Sequence, residues 1–170
     1  MKTTEQRLAE ADPRVMDSLE QFGTLMLEEL RERTYGLESK AMSTLGWSAA
    51  LLVFLLFPFG EGASGPLATL PRAVRLTAAA AALVAIVFAY LALRLTRWGW
   101  PSEHDWFRED LLSDPDALRR HHVQSMLATY RENRQRTQRK VRYAKIAELC
   151  LVIAALLVGA AVFISTLAKG

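Results

Sequence analysis

The chain of 170 residues contains a single cysteine, Cys150. No intrachain disulfide can form, so nothing points to an oxidising compartment, and Cys150 at the head of an apolar run reads as a small buried residue. Also lacking are the common signatures of catalysis. There is no glycine-rich phosphate loop, no Cys-x-x-Cys pair and no His-Glu-x-x-His motif. The three histidines do not make up for this. His121 and His122 are adjacent, so on a helix they point about 100° apart and cannot chelate one metal together. His104, between Glu103 and Asp105, reads as part of a solvated polar loop. No enzyme activity, cofactor or metal is expected.

Charge is missing from three stretches altogether: residues 41–60, 76–93 and 149–168. Each is bounded by a charged residue, and each approaches the roughly 20 helical residues that cross a bilayer core at about 1.5 Å per residue. Three buried helices in a soluble protein would need a polar shell that the rest of this chain cannot supply. The expectation is an all-α integral membrane protein with three transmembrane helices. No ionisable residue lies near a span centre, which disfavours an ion-coupled carrier. The first run follows a charged stretch and has no small-residue cleavage site at a suitable distance. It therefore reads as an anchor, not a cleavable signal peptide.

Charge asymmetry then sets a topology. Residues 94–145 carry twelve Lys/Arg against seven Asp/Glu, whereas residues 61–75 hold only Arg72 and Arg75 as basic groups. Basic segments beside spans stay on the cytoplasmic side, which puts the N-terminus in the cytoplasm and the C-terminus outside. Lys40, Arg94, Arg97, Arg142 and Lys145 stand at the inferred inner ends and agree; Arg75 stands at an outer end and opposes. The expected organisation is a cytoplasmic amphipathic helix over 1–40, spans over 41–60, 76–95 and 146–168, an external loop over 61–75, and a cytoplasmic loop and basic stalk over 96–145. A bacterial inner membrane is the expected location.

The soluble parts carry clear start signals. Asp12-Pro13 and Ser113-Asp114-Pro115-Asp116 each offer a capping side chain followed by a proline where no amide is needed. After the first, Val15, Leu19, Phe22, Met26 and Leu30 recur at helical spacing. After the second, nothing before residue 168 breaks a helix, so residues 115–145 form a stalk of about 46 Å continuous with the third span. Leu118, His122, Met126 and Tyr130 line one stripe of it, with Val123 and Leu127 beside them. That stripe can pair with the N-terminal helix as a coiled-coil-like bundle. Between spans and stalk, Trp98, Trp100 and Trp106 suit interfacial anchoring, with a ligand-stacking platform as the alternative.

The lower stalk is strongly basic: Arg131, Arg134, Arg136, Arg139, Lys140, Arg142 and Lys145, against Glu132 alone. Two readings stay open, contact with anionic lipid headgroups and a site for a soluble anion. Nucleic acid is not expected, because Tyr143 is the sole interleaved aromatic residue and no binding motif is present. Candidate pore or subunit contacts are Ser43, Thr44 and Ser48 in the first span and Glu148, Ala155, Gly159, Ala161 and Ser165 in the third. Small residues four apart let helix backbones approach closely in lipid, so a homo-oligomer is expected. The serines and threonine could equally bond back to their own helices. Glu148 reads as an ion-pair partner of Lys145 or Arg142, or as part of a charged pore mouth.

A helix running through Leu37-Glu38-Ser39-Lys40-Ala41 into a span, a tight hairpin to a second span, and a long basic helix entering a third make a familiar layout. It resembles small bacterial transmembrane effectors of nucleotide-signalling antiphage systems, the Pycsar-type effectors and more distantly the SLATT effectors. In the former an acidic-or-polar, x, Lys-Ala element opens the first span; Lys40-Ala41 matches it and Glu38 and Ser39 fit it loosely. The resemblance implies an oligomeric effector that permeabilises the membrane when a messenger or partner activates it. The chain shows no cyclic-nucleotide-binding domain, which leaves the trigger open between a nucleotide and a soluble protein. The alternative is a non-catalytic anchor whose cytoplasmic helices dock a soluble partner.

Overall fold

A computed structural model describes residues 12–56, 71–94 and 114–167. These form three α-helices: α1, Pro13–Leu56; α2, Arg72–Arg94; and α3, Pro115–Leu167. Among the described residues there is no strand. All three helices are long and apolar enough to cross a membrane, so the chain has the make-up of a multi-pass membrane protein.

Both proline starts behave as capped termini. The Asp12 carboxylate accepts from the Arg14 amide at 2.8 Å, and the Asp12 carbonyl accepts from Val15 at 2.9 Å. At α3 the Asp114 carboxylate accepts from Asp116 at 3.0 Å and Ala117 at 3.2 Å. Each aspartate thus satisfies amides that a helix start leaves without intrahelical acceptors. Neither long helix breaks at the polar-to-apolar transition: α1 holds 44 residues and α3 holds 53. Helix α2 starts four residues before its expected span, at Arg72. The remainder of the first span and the Trp98, Trp100, Trp106 and His104 region lie outside the described residues.

The chain divides into two compact units, one of Met1–Tyr35 with Arg97–Gln138 and one of Gly36–Thr96 with Arg139–Gly170. In the first, α1 and α3 run in the same direction as a pair. Met16 and Val123 form the apolar end of the seam, with Leu19 and Leu127 packed against them. One turn on, the Met126 thioether lies over Gly23, where an added Cβ would meet its Cε at 2.9 Å. Glycine costs helix stability but allows this close approach.

The second unit packs all three helices through small side chains. Ala78, Ala82, Ala85, Ala89 and Ala92 line the buried stripe of α2. Ala92 clusters with Ala41 of α1 and Ala144 of α3, and Ala78 with Leu55 of α1; Thr44 and Ser48 of α1 and Ala147 and Ala154 of α3 are buried as well. Between helices in lipid, side chains this small bring backbones together and increase van der Waals contact. Larger groups close the ends, Phe88 against Tyr143 with ring centres 5.9 Å apart and Leu55 with Leu51, Leu52, Leu157 and Val158.

The two expected stripes are met in part. On α1, Leu30 is buried and Leu19 packs on the seam as expected, whereas Val15 and Phe22 are 50% and 60% exposed and Met16 and Thr34 are buried in addition. On α3 the seam follows Val123, Met126, Asn133, Thr137 and Lys140, not Leu118 and His122. The seam is polar along its second half, so a search for apolar periodicity loses it there.

Candidate functional site

The polar half of the seam is built from three contacts. Within the first unit, Thr34 donates its hydroxyl proton to the Leu30 carbonyl at 2.8 Å. Its oxygen lies 3.1 Å from the Thr137 hydroxyl. Since the Thr34 proton is already committed, Thr137 is the donor across the helix pair. Asn133, 1% exposed, sits one turn before Thr137. Within the second unit, Lys140 Nζ donates to Glu38 Oε1 at 2.6 Å. Burial makes this pairing obligatory, because an unpartnered ammonium in low dielectric is strongly disfavoured.

This removes Lys140 from the basic set expected to meet lipid or a soluble anion. Its side chain is 3% exposed and its charge is neutralised by Glu38. Arg136 pairs with Glu132 one turn away on its own helix. Arg131, Arg134, Arg139, Arg142 and Lys145 are exposed. Lys140 occurs in the same basic run as these residues, and only the seam register separates it from them.

The candidate pore residues also part into two groups. Thr44 and Ser48 are buried inside the helix trio, and Thr44 donates to the Lys40 carbonyl at 2.9 Å. They face the interior of a single chain. Ser48 Oγ is fully buried with no hydrogen-bond partner among the described residues. Ser43, Glu148, Ala155 and Gly159 are exposed, whereas Ala161 and Ser165 are half-buried, and Ser165 donates to the Val162 carbonyl at 2.8 Å. Glu148 makes no ion pair with Lys145 or Arg142.

The histidines occupy a place that sequence reading missed. Glu20, Pro115, Leu118, Arg119, His121 and His122 line a cleft of about 270 Å³ in the first unit. Its charges are largely committed to one another: Arg119 bridges to Asp17 and lies 3.5 Å from Glu20, and His122 Nε2 lies 3.6 Å from the other Glu20 oxygen. These bridges clamp the open end of the α1–α3 pair. Among the described residues no group of three or more His, Cys, Asp or Glu could hold a metal ion. Adjacent histidines gave no sequence signal for this cleft, since only the packing of α1 on α3 brings Glu20 to them.

Comparison with protein-family models, curated proteins and solved structures gives no match. The functional reading therefore rests on the geometry of this chain.

Proposed function

We propose that the protein is an oligomeric effector of the bacterial inner membrane that perturbs or permeabilises the bilayer on activation, in antiphage defence. The observation that carries the reading is the bareness of the third span. In the most apolar stretch of α3 only 6% of residues are buried, against 33% for α2. The outward face includes Ala155 and Gly159, four residues apart. Lipid needs no small residues, whereas a neighbouring helix gains close contact from them. Glu148 opens the same span on an exposed position, where a ring of copies would place a ring of carboxylates at the mouth of the assembly. The resemblance of Lys40-Ala41 and of the order of apolar and basic segments to Pycsar-type effectors supports the defence context. Arg131, Arg134, Arg139, Arg142 and Lys145 support a cytoplasmic placement of that end of α3, and so of the N-terminus.

A second reading has its own support. The apolar outward face of α1, with Phe22 60% and Leu25 63% exposed, suits an anchor that docks a soluble protein. Native mass of the protein in lipid nanodiscs separates the two. The effector reading expects a tetramer or larger that collapses in Gly159→Leu, and dye release from vesicles by the wild type that the variant loses. A monomer or dimer with no release at any loading would overturn it in favour of the anchor.

A further inference from the structure

The outward faces of the first unit match each other. On α1 the residues facing away from the seam follow a heptad, Val15, Ser18, Phe22, Leu25, Glu29 and Glu32, all exposed. Its first part is apolar and its last part acidic. On α3 a second heptad lies beside the seam: the half-buried Gln124 and Leu127, then the exposed Arg131, Arg134 and Gln138. It is uncharged up to Leu127 and then basic, and α3 has no Asp, Glu, Lys or Arg between residues 121 and 130.

The levels of these two faces follow from the seam itself. The Gly23–Met126 and Thr34–Thr137 contacts share one offset between parallel helices. On that offset Leu25 stands level with Leu127 and Ala128, Glu29 with Arg131 and Glu132, and Glu32 with Arg134 and Gln135. Copies related by a rotation axis parallel to this helix pair keep these levels equal. Apolar therefore meets uncharged, and acid meets base, when α1 of one copy lies against α3 of the next.

We propose that this face of α1 seats on α3 of a second copy of the chain, Leu25 at the level of the exposed Ala128, Glu29 against Arg131 and Glu32 against Arg134. Among the described residues Glu28, Glu32, Arg131 and Arg134 have no ion-pair partner within the chain, and Glu29 is held only by Arg33 on its own helix at 2.5 Å. Packing α1 on α1 about a two-fold axis would set Glu29 and Glu32 against themselves, so the contact is side to side. Such a contact uses two different patches and repeats until it closes a ring. The inference rests on the oligomeric part of the proposed function and is independent of whether the assembly permeabilises a membrane.

Charge reversal tests it in the full-length protein in nanodiscs. Glu29→Arg/Glu32→Arg and Arg131→Glu/Arg134→Glu each shift the native mass down from the wild-type assembly. Combining all four changes in one chain, or co-expressing the two variants, restores the assembly, because each restored contact again pairs acid with base. Restoration also shows that the variants fold. In a Cys150→Ser background, Leu25→Cys in one tagged chain cross-links to Ala128→Cys in a differently tagged chain. An assembly that survives both single-face reversals would overturn this interface while leaving the oligomeric reading standing. Cross-linking of Leu25→Cys to itself alone would overturn it in favour of two-fold packing. A monomeric wild type would overturn both the interface and the oligomer.

Discussion

Lys140 Nζ lies 2.6 Å from Glu38 Oε1, and the two ends of this pair differ in their access to water. The lysine side chain is 3% exposed and the glutamate 25%. Removing Glu38 strands a charge that cannot reach solvent, whereas removing Lys140 leaves a carboxylate that can. Glu38→Ala is expected to destabilise the protein by about 3 kcal/mol, and Lys140→Met by distinctly less. Glu38→Leu combined with Lys140→Met recovers most of the loss, since an apolar pair of similar volume needs no neutralisation. Unfolding midpoints in detergent micelles measure all three, and equal losses for the two single variants would contradict the asymmetry.

Thr137 donates across the first unit to Thr34, whose own proton goes to Leu30. Thr137→Val keeps the side-chain shape, removes that donor and is expected to cost about 1 kcal/mol. Thr34→Val takes away the acceptor instead and leaves Thr137 buried with a proton to place. The double variant should fall short of the sum of the two, which is the mark of a shared bond in a double-mutant cycle.

Ser48 is fully buried and its hydroxyl has no partner among the described residues. Ser48→Ala removes a polar group that gains nothing from its surroundings, so stability should stay level or rise by up to about 1 kcal/mol. Ser48→Leu should lower it by about 1–3 kcal/mol, because a fully buried serine leaves no room for extra methylenes. A marked loss on Ser48→Ala would show that the hydroxyl is bonded in the membrane.

Arg139, Arg142 and Lys145 are exposed at the start of the apolar part of α3. Replacing each by alanine should weaken retention of anionic lipid about fivefold per charge, from about 1 kcal/mol for each basic residue near the surface. Lipid adducts counted by native mass spectrometry, with zwitterionic lipid as the control, report this directly. Lys140→Met should leave the count unchanged.

Much of the helical frame is legible in the residues alone. Uncharged runs of spanning length declare three membrane-competent helices, and Asp-Pro pairs mark where α1 and α3 start. The absence of any breaker after Pro115 announces a helix that runs on into the third span. These signals are local: capping, proline placement and unbroken apolarity act within a turn or along one helix, so no partner needs to be known.

Which face of each helix is used was not legible in the same way. Apolar periodicity points Val15 and Phe22 inward, yet they are 50% and 60% exposed, while the seam runs through Met16 and through Thr34 paired with Thr137. Lys140 looks like one more cation in a basic run until Glu38 is seen beside it. Nothing in the run of residues around Thr44 and Ser48 shows that both side chains are buried within one chain.

By itself, then, the sequence determined how many spanning helices there are, where they start and how the charges are distributed along them. Only the tertiary structure decided which polar side chains are interior and which are free to meet lipid or a second chain. The physical reason is that transfer into a membrane depends on the sum of residue polarities along a helix. Pairing depends on the angular register between two helices, and contacts such as the buried Glu38–Lys140 pair exist only once both helices are in place.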